Sequence, residues 1–218
     1  MHFRNSGGGT LKSVESRAVF LDRDGVINRP ILKNQKPYPP QRLDEFDLLP
    51  AVSSAISDLK RAGFMVIVVT NQPDVARGTQ TRETVESMHD RLRAELPLDD
   101  IMVCWHDDVE DCECRKPRPG LMLSAGRKYG IDMAASFMVG DRWRDVDAGS
   151  AAGCCSLLID YGYNERAPDT EPAVRTRSLR EAVDWILGER EERAPVGPRA
   201  KSEVPRSPVG LFQTAEAF

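Results

Sequence analysis

An α/β fold, with a Rossmann-like parallel sheet flanked by helices, is what this sequence predicts, and three observations predict it. Short apolar runs alternate with segments of helical period along most of the chain, the order that gives a parallel sheet covered on both faces. The run at 64–69, Phe-Met-Val-Ile-Val-Val, is nearly continuous in apolar residues, as a strand buried on both faces requires. Several runs end abruptly in acids, hydroxyls or amides, at the carboxyl edge where open α/β sheets keep their sites.

The first strand is 18–21, Ala-Val-Phe-Leu, and a Pro- and Lys-rich loop follows over 29–40, of the kind that shapes substrate access. Val52, Ala55, Ile56 and Leu59 share one face and Gly63 stops the pattern, which predicts a helix over 50–62. The second strand is 64–69. Val85, Met88, Leu92 and Leu96 predict a helix over 82–96, and 101–104 is the third strand. A helix over 119–129 has Pro119 near its first turn and Gly130 just past its end. The fourth strand is 136–139, a helix over 145–152 closes at Gly153, and the fifth strand is 155–159. Ser178 caps a last helix through Leu187. The Gly/Ser-rich residues 1–16 are expected to be flexible, 17–188 to form a single domain, and the charged, Pro-rich 189–218 to be a disordered tail.

The chain has 218 residues, 40% of them hydrophobic, enough for one domain with a sizeable core. No apolar stretch approaches the ~20 residues of a membrane helix, and the first residues carry no apolar signal core, so no membrane partner and a cytoplasmic location are expected. The formal net charge of −4 argues against a nucleic-acid surface. A monomer is expected. Five cysteines without a signal peptide argue for reduced, metal-binding thiols over a disulfide framework.

Asp22 and Asp24 carry the strongest signal, because Asp22-Arg23-Asp24-Gly25 follows an apolar strand directly. One carboxylate there can attack a phosphoryl group while the other passes protons. Away from a strand, Asp-x-Asp-Gly is a common turn. Two carboxylates this close repel unless a cation sits between them, and magnesium suits carboxylate, carbonyl and water ligands. Thr70-Asn71 ends the second strand, where a hydroxyl and an amide can hold phosphate oxygens; an ordinary turn is the alternative. Arg115-Lys116 offers the cation that a transferring phosphoryl group needs; a solvated basic loop is the alternative. Asp141 can complete a magnesium site, and Asp145 can fix Lys116 or the metal's waters; a helix N-cap is the other reading of such an acid.

Cys104-Trp105-His106 and Cys112-Glu113-Cys114, five residues apart, make a Cys₃His set suited to a closed, structural, tetrahedral zinc site. The alternatives are a strained Cys112–Cys114 disulfide and a His106 that is only a capped polar residue. Zinc here would pin the loop leading into Arg115-Lys116. Cys154 and Cys155 suit core packing, and neither His2 nor His89 signals a site.

In this order, each at the end of a strand-like run, these segments resemble the haloacid dehalogenase superfamily of phosphotransferases over about 18–153. The chain is most similar to its capless D,D-heptose 1,7-bisphosphate phosphatases and to the histidinol-phosphate phosphatases. The strings that carry the likeness are Phe-Leu-Asp-Arg-Asp-Gly-Val-Ile-Asn (20–28), Val-Thr-Asn-Gln (69–72), Ala-Arg-Gly (76–78), Cys-Glu-Cys-Arg-Lys-Pro-Arg-Pro-Gly (112–120) and Ile-Asp-Met-Ala-Ala-Ser-Phe-Met-Val-Gly-Asp (131–141). The resemblance implies a single capless domain that hydrolyses phosphomonoesters through an aspartyl-phosphate.

It implies Asp22 as nucleophile, Asp24 as general acid/base, and Thr70 and Lys116 as supports of the phosphoryl group. Arg23, Asn71, Gln72 and Arg115 are the implied substrate contacts. Magnesium is implied on Asp22, the Asp24 carbonyl and Asp141. The implied partner is a small phosphorylated metabolite, D-glycero-D-manno-heptose 1,7-bisphosphate ahead of histidinol phosphate. A non-catalytic zinc-stabilised scaffold is disfavoured because none of Asp22, Asp24, Lys116 and Asp141 is missing. The short zinc-loop spacing is closer to the histidinol-phosphate group; 76–78 and 131–141 are closer to the heptose group. The match breaks at Pro73-Asp74, where the heptose enzymes carry Ser-Gly, and over 29–33.

Overall fold

The structure, a computed structural model, describes residues 16–193. Residues 1–15 of the expected flexible segment and 194–218 of the expected tail lie outside the described residues. Ser16, placed in the flexible segment by sequence, pairs with Ile131.

Six strands form one parallel sheet: β1 (Ala18–Leu21), β4 (Met65–Asn71), β5 (Asp100–Cys104), β6 (Phe137–Gly140), β7 (Cys155–Ile159) and β8 (Val174–Thr176). Their order is β5-β4-β1-β6-β7-β8. The chain winds outward from β1 through β4 and β5, then returns to β1's other side at β6. The crevice between β1 and β6 is therefore the topological switch point, where such sheets bind ligands. Asp22, Asp24 and Asp141 border it, and Thr70 and Asn71 end the neighbouring β4.

Alternation along the strands splits the core in two. Val19 and Leu21 of β1 join Val66 and Val68 beneath α1 (Val52–Arg61), α3 (Arg82–Glu95) and α6 (Leu179–Arg193). Ala18, Phe20, Ile67 and Val69 face the opposite way, under α4 (Gly120–Tyr129) and α5 (Trp143–Ala151). Each Ile, Leu or Phe fully buried this way stabilises by about 1.5–3 kcal/mol. The helical stripe Val52, Ala55, Ile56, Leu59 is buried as its spacing predicts.

The structure adds a hairpin, a short helix and an edge strand to the sequence reading. The loop at 29–40 contains an antiparallel hairpin, β2 (Ile31–Lys33) and β3 (Lys36–Tyr38). Its turn residues Asn34 and Gln35 both have positive φ, the hairpin-turn geometry usually signalled by Asn-Gly. A short helix, α2 (Pro73–Ala76), follows β4, with Pro73 in its first turn where a missing N–H is tolerated. The edge strand β8 has only three residues. The last helix continues to Arg193, five residues into the segment assigned to the tail. Among the described residues, the hairpin is the only strand or α-helix between β1 and α1, so the carboxyl edge carries no cap domain. No described helix is long and apolar enough to cross a membrane.

Candidate active site

Register places the acids. Leu21 pairs with Val139, and the Asp22 N–H donates to the Val139 carbonyl at 3.0 Å. The residues that leave these two strands, Asp22 and Asp141, therefore emerge side by side. Asp22, Asp141 and Asp145 are all buried, and each offers an oxygen within 4.8 Å of the others'. Close backbone approach makes this possible. Gly25 has φ +88°, and a Cβ on it would overlap the Asp141 carboxylate; a Cβ on Gly140 would overlap Asp145.

Lys116, 2% exposed, answers the cluster with all three of its ammonium donors. They reach Asp22 Oδ1 at 2.8 Å, Asp145 Oδ1 at 2.5 Å and the Val69 carbonyl at 2.8 Å. Burial opposes the ammonium form, but Asp145 and Asp22 outweigh it and the Lys116 pKa is raised. Burial pushes Asp22 up to about 6, against the pull of Lys116 and with Asp145 and Asp24 adding to the rise. Asp141 is held well above the usual carboxylate range by burial, then by Asp22 and Asp145.

Three carboxylates against one ammonium leave a charge that a divalent cation cancels. One buried oxygen, Asp141 Oδ1, has no hydrogen-bond partner, while Oδ2 accepts from the Tyr163 hydroxyl at 3.0 Å. An orphaned oxygen in an all-oxygen donor set fits magnesium. Asp145 also accepts from the Arg142 N–H at 3.0 Å, capping α5. Its support of Lys116 and its capping role thus coexist.

Asp24 is held differently. Its Oδ1 accepts from Asn28 Nδ2 at 2.9 Å, its Oδ2 from Gln72 Nε2 at 3.0 Å, and Arg23 donates to both oxygens at 2.9 Å. The expected substrate contacts Arg23 and Gln72 are corrected here. Both are fully buried and face Asp24, so neither side chain is presented to a ligand. Arg23 directly follows Asp22 as the chain leaves the sheet, and its guanidinium turns inward over the Phe46 ring, 5.6 Å away. Gln72 also donates to the Thr70 hydroxyl at 2.9 Å, at the end of β4.

Asp24, with its side chain 17% exposed, opens onto a cavity of about 240 Å³ at the sheet edge. Asn71 lines this mouth and clamps the backbone of Lys116, accepting from its N–H at 3.1 Å and donating to its carbonyl at 3.0 Å. Arg115 lines it too, paired with Asp108 at 2.8 Å; Arg144 reaches the same carboxylate at 3.2 Å. Lys36, Arg77 and Arg142 complete a rim of basic side chains, and Asp74, Asp108 and Glu165 stand among them as ion-pair partners. Asp74 lies 3.5 Å from Arg77, so the charge introduced by Pro73-Asp74 has a cation beside it.

Cys104, His106, Cys112 and Cys114 converge where β5 leaves the sheet. Sulfur–sulfur separations are 3.3–3.7 Å, and His106 Nδ1 lies 3.2 Å from Cys114 and 3.6 Å from Cys104. The thiols are free, which sets aside the Cys112–Cys114 disulfide. Four soft donors at the corners of one small polyhedron fit a tetrahedral zinc ion.

Comparison with known proteins agrees with this geometry. Residues 113–182 match the HAD-hydrolase-like family model. The D-glycero-beta-D-manno-heptose-1,7-bisphosphate 7-phosphatase of Escherichia coli K12 is 36% identical over 182 residues, 78% of this chain and 87% of that one. The Pseudomonas aeruginosa protein of the same name is 38% identical over 155 residues, covering 68% and 83%. The chain belongs to the haloacid-dehalogenase-like phosphatases. The D,D-heptose 1,7-bisphosphate phosphatase of B. bronchiseptica, solved with magnesium and phosphate, superposes on this phosphatase with a TM-score of 0.65 at 30% identity, over 79% of this chain and 99% of that one.

Some of the phosphatase's site was silent in its sequence. Asn28 closes the string at 20–28, and its place four residues after Asp24 was the available signal. Tyr163 sits in the loop after β7 with nothing nearby to mark it. His89 lies on the buried face of α3, at a position that reads as core.

Proposed function

We propose that this phosphatase hydrolyses the 7-phosphate of D-glycero-β-D-manno-heptose 1,7-bisphosphate, with Asp22 as nucleophile. One observation carries the chemistry: the Asp22 carboxylate stands at the switch point, 2.8 Å from the Lys116 ammonium and beside Asp141. The substrate class is supported by the relatives and by the basic side chains Lys36, Arg77 and Arg115 at the mouth, which can meet a second phosphate.

Asp22 attacks phosphorus in line, and the bond from phosphorus to the leaving oxygen breaks. Asp24, protonated, gives its proton to that oxygen, then takes one from the water that cleaves the aspartyl-phosphate. Arg23, Asn28 and Gln72 keep the Asp24 carboxyl group from turning away. Lys116 stands beside Asp22, where negative charge gathers on the phosphoryl oxygens, and Thr70 at the end of β4 is the second support. Magnesium held by Asp22, the Asp24 carbonyl and Asp141 would screen the repulsion between nucleophile and phosphate. Arg115 and Asn71 contact the remote part of the substrate. Zinc on Cys104, His106, Cys112 and Cys114 is structural, because the protein fills all four positions.

Phosphate release from purified protein, measured over sugar bisphosphates and histidinol phosphate, tests the assignment. Turnover is expected to require magnesium, with kcat/KM highest for the heptose bisphosphate. A higher value for histidinol phosphate would replace the substrate while leaving the chemistry standing.

A further inference from the structure

Behind the acids of the site lies a run of polar contacts closed off from the surface. Arg23 and His89 are both fully buried. A guanidinium has five N–H donors and no acceptor, so every hydrogen bond it makes is a donation. Arg23 gives its Nη2 edge to Asp24 and its Nη1 to His89 Nε2 at 3.2 Å. That fixes the histidine tautomer: Nε2 is bare and the proton sits on Nδ1, 3.5 Å from Glu86 Oε2. The His89 ring also lies 6.3 Å from the ring of Trp105, and the Arg23 guanidinium lies over Phe46.

We propose that His89 is a positioning residue for the reaction, holding Arg23 in the orientation that sets Asp24 as proton donor. Arg23 divides its donors between a neutral ring and a carboxyl group. Without the ring acceptor, Nη1 is left unsatisfied in the interior, and a buried donor turns toward the strongest acceptor within reach. Here that acceptor is Asp24. Fuller donation from Arg23 draws the Asp24 carboxyl group inward, away from the cavity where the substrate's leaving oxygen would stand. The leaving alkoxide then departs without its proton. A second element supports the link: His89 comes from α3, well away in sequence from Asp24, so the contact closes only in the folded chain.

This inference rests on Asp24 being the general acid, and the test separates the two ideas. The quantity measured is kcat/KM, which reports steps through departure of the leaving group, for a sugar phosphate and for p-nitrophenyl phosphate. The alkoxide needs a proton to leave; the nitrophenolate does not. In His89→Met the sugar phosphate value is expected to fall about 10- to 100-fold, part of the ~10²–10⁴ that general acid catalysis supplies, with little change for the aryl ester. His89→Gln, whose amide oxygen can accept from Nη1, is expected to restore the sugar phosphate value. Asp24→Asn is the reference and should show the same selective loss. If the Met variant does not fold, His89→Asn replaces it, since its shorter amide stops short of Arg23 while matching Gln in chemistry. Equal losses on both substrates, or none, alongside a selective loss in Asp24→Asn, overturn the role of His89. No selectivity in Asp24→Asn itself overturns the general-acid reading instead.

Discussion

At Gly25 the backbone, rather than a side chain, decides whether the site can exist. Its φ of +88° and its contact with Asp141 leave no room for a Cβ. Gly25→Ala is expected to destabilise the fold by at least ~1–2 kcal/mol from the left-handed backbone alone. Displacement of Asp141 should lower kcat about 100-fold, the scale of loss from a 1 Å misplacement. Urea unfolding and a magnesium titration of activity measure the two effects separately. Lys116 is the complementary case, a buried cation with three acceptors. Lys116→Met leaves two buried carboxylates unpaired and should destabilise by about 3–5 kcal/mol, read as a lower urea midpoint. At this scale the sequence spoke through acids at or just past strand ends and one loop cation: Asp22, Asp24, Asp141, Asp145 and Lys116 all gather at the edge. Arg23 and Gln72 misled because a charged or amide side chain within a motif reads as a ligand contact. Whether it turns inward depends on acceptors such as His89 and Thr70 that come from other elements.

Among the elements, the loop between β5 and α4 has the most to lose. Its His106, Cys112 and Cys114 lie with Cys104 of β5 within reach of one ion, and its next residues, Arg115 and Lys116, reach the mouth and Asp22. Cys112→Ser should lose bound zinc, counted by elemental analysis. The melting temperature should drop by about 5–10 °C, corresponding to a few kcal/mol in a domain of this size, and kcat should fall with it as Lys116 loses its anchor. Unchanged zinc content in Cys112→Ser would remove that residue from the metal site. Long periodic elements were legible: the buried stripes of α1 and α3 and the continuous run of β4 fall where their spacing places them. The hairpin β2–β3 was not, because two three-residue strands with Pro37 in one of them carry too few positions for alternation to show. Asn34 and Gln35 supply its positive-φ turn without the glycine that usually announces one.

Over the whole molecule, the alternation of strands and helices was enough to read a parallel sheet but not its order. The return of the chain to β6 beside β1 is fixed by long-range pairing of Leu21 with Val139, which no local pattern encodes. The same global packing sets the pH response. Burial, then the charges of Arg23 and Arg93, push His89 down to about 3. The folded protein therefore binds its proton less readily than the unfolded chain, whose histidine titrates near 6.5. This contribution to stability is complete above pH 6.5 and is lost as pH falls toward 3. By pH 5 the loss amounts to about 2 kcal/mol. His89→Gln is expected to flatten the fall in urea midpoint between pH 7 and pH 5; an unchanged slope would mean that His89 protonates as easily in the fold as outside it.

The covalent role of Asp22 is tested most directly by catching the enzyme in mid-turnover. An Asp24→Asn variant, slowed in clearing its intermediate, is mixed with magnesium and substrate, quenched in acid and reduced with borohydride, which converts an acyl phosphate to an alcohol. Peptide mass spectrometry should then find homoserine in place of aspartate at residue 22. Homoserine at any other position, or an unmodified residue 22 in enzyme that is releasing phosphate, would contradict the account.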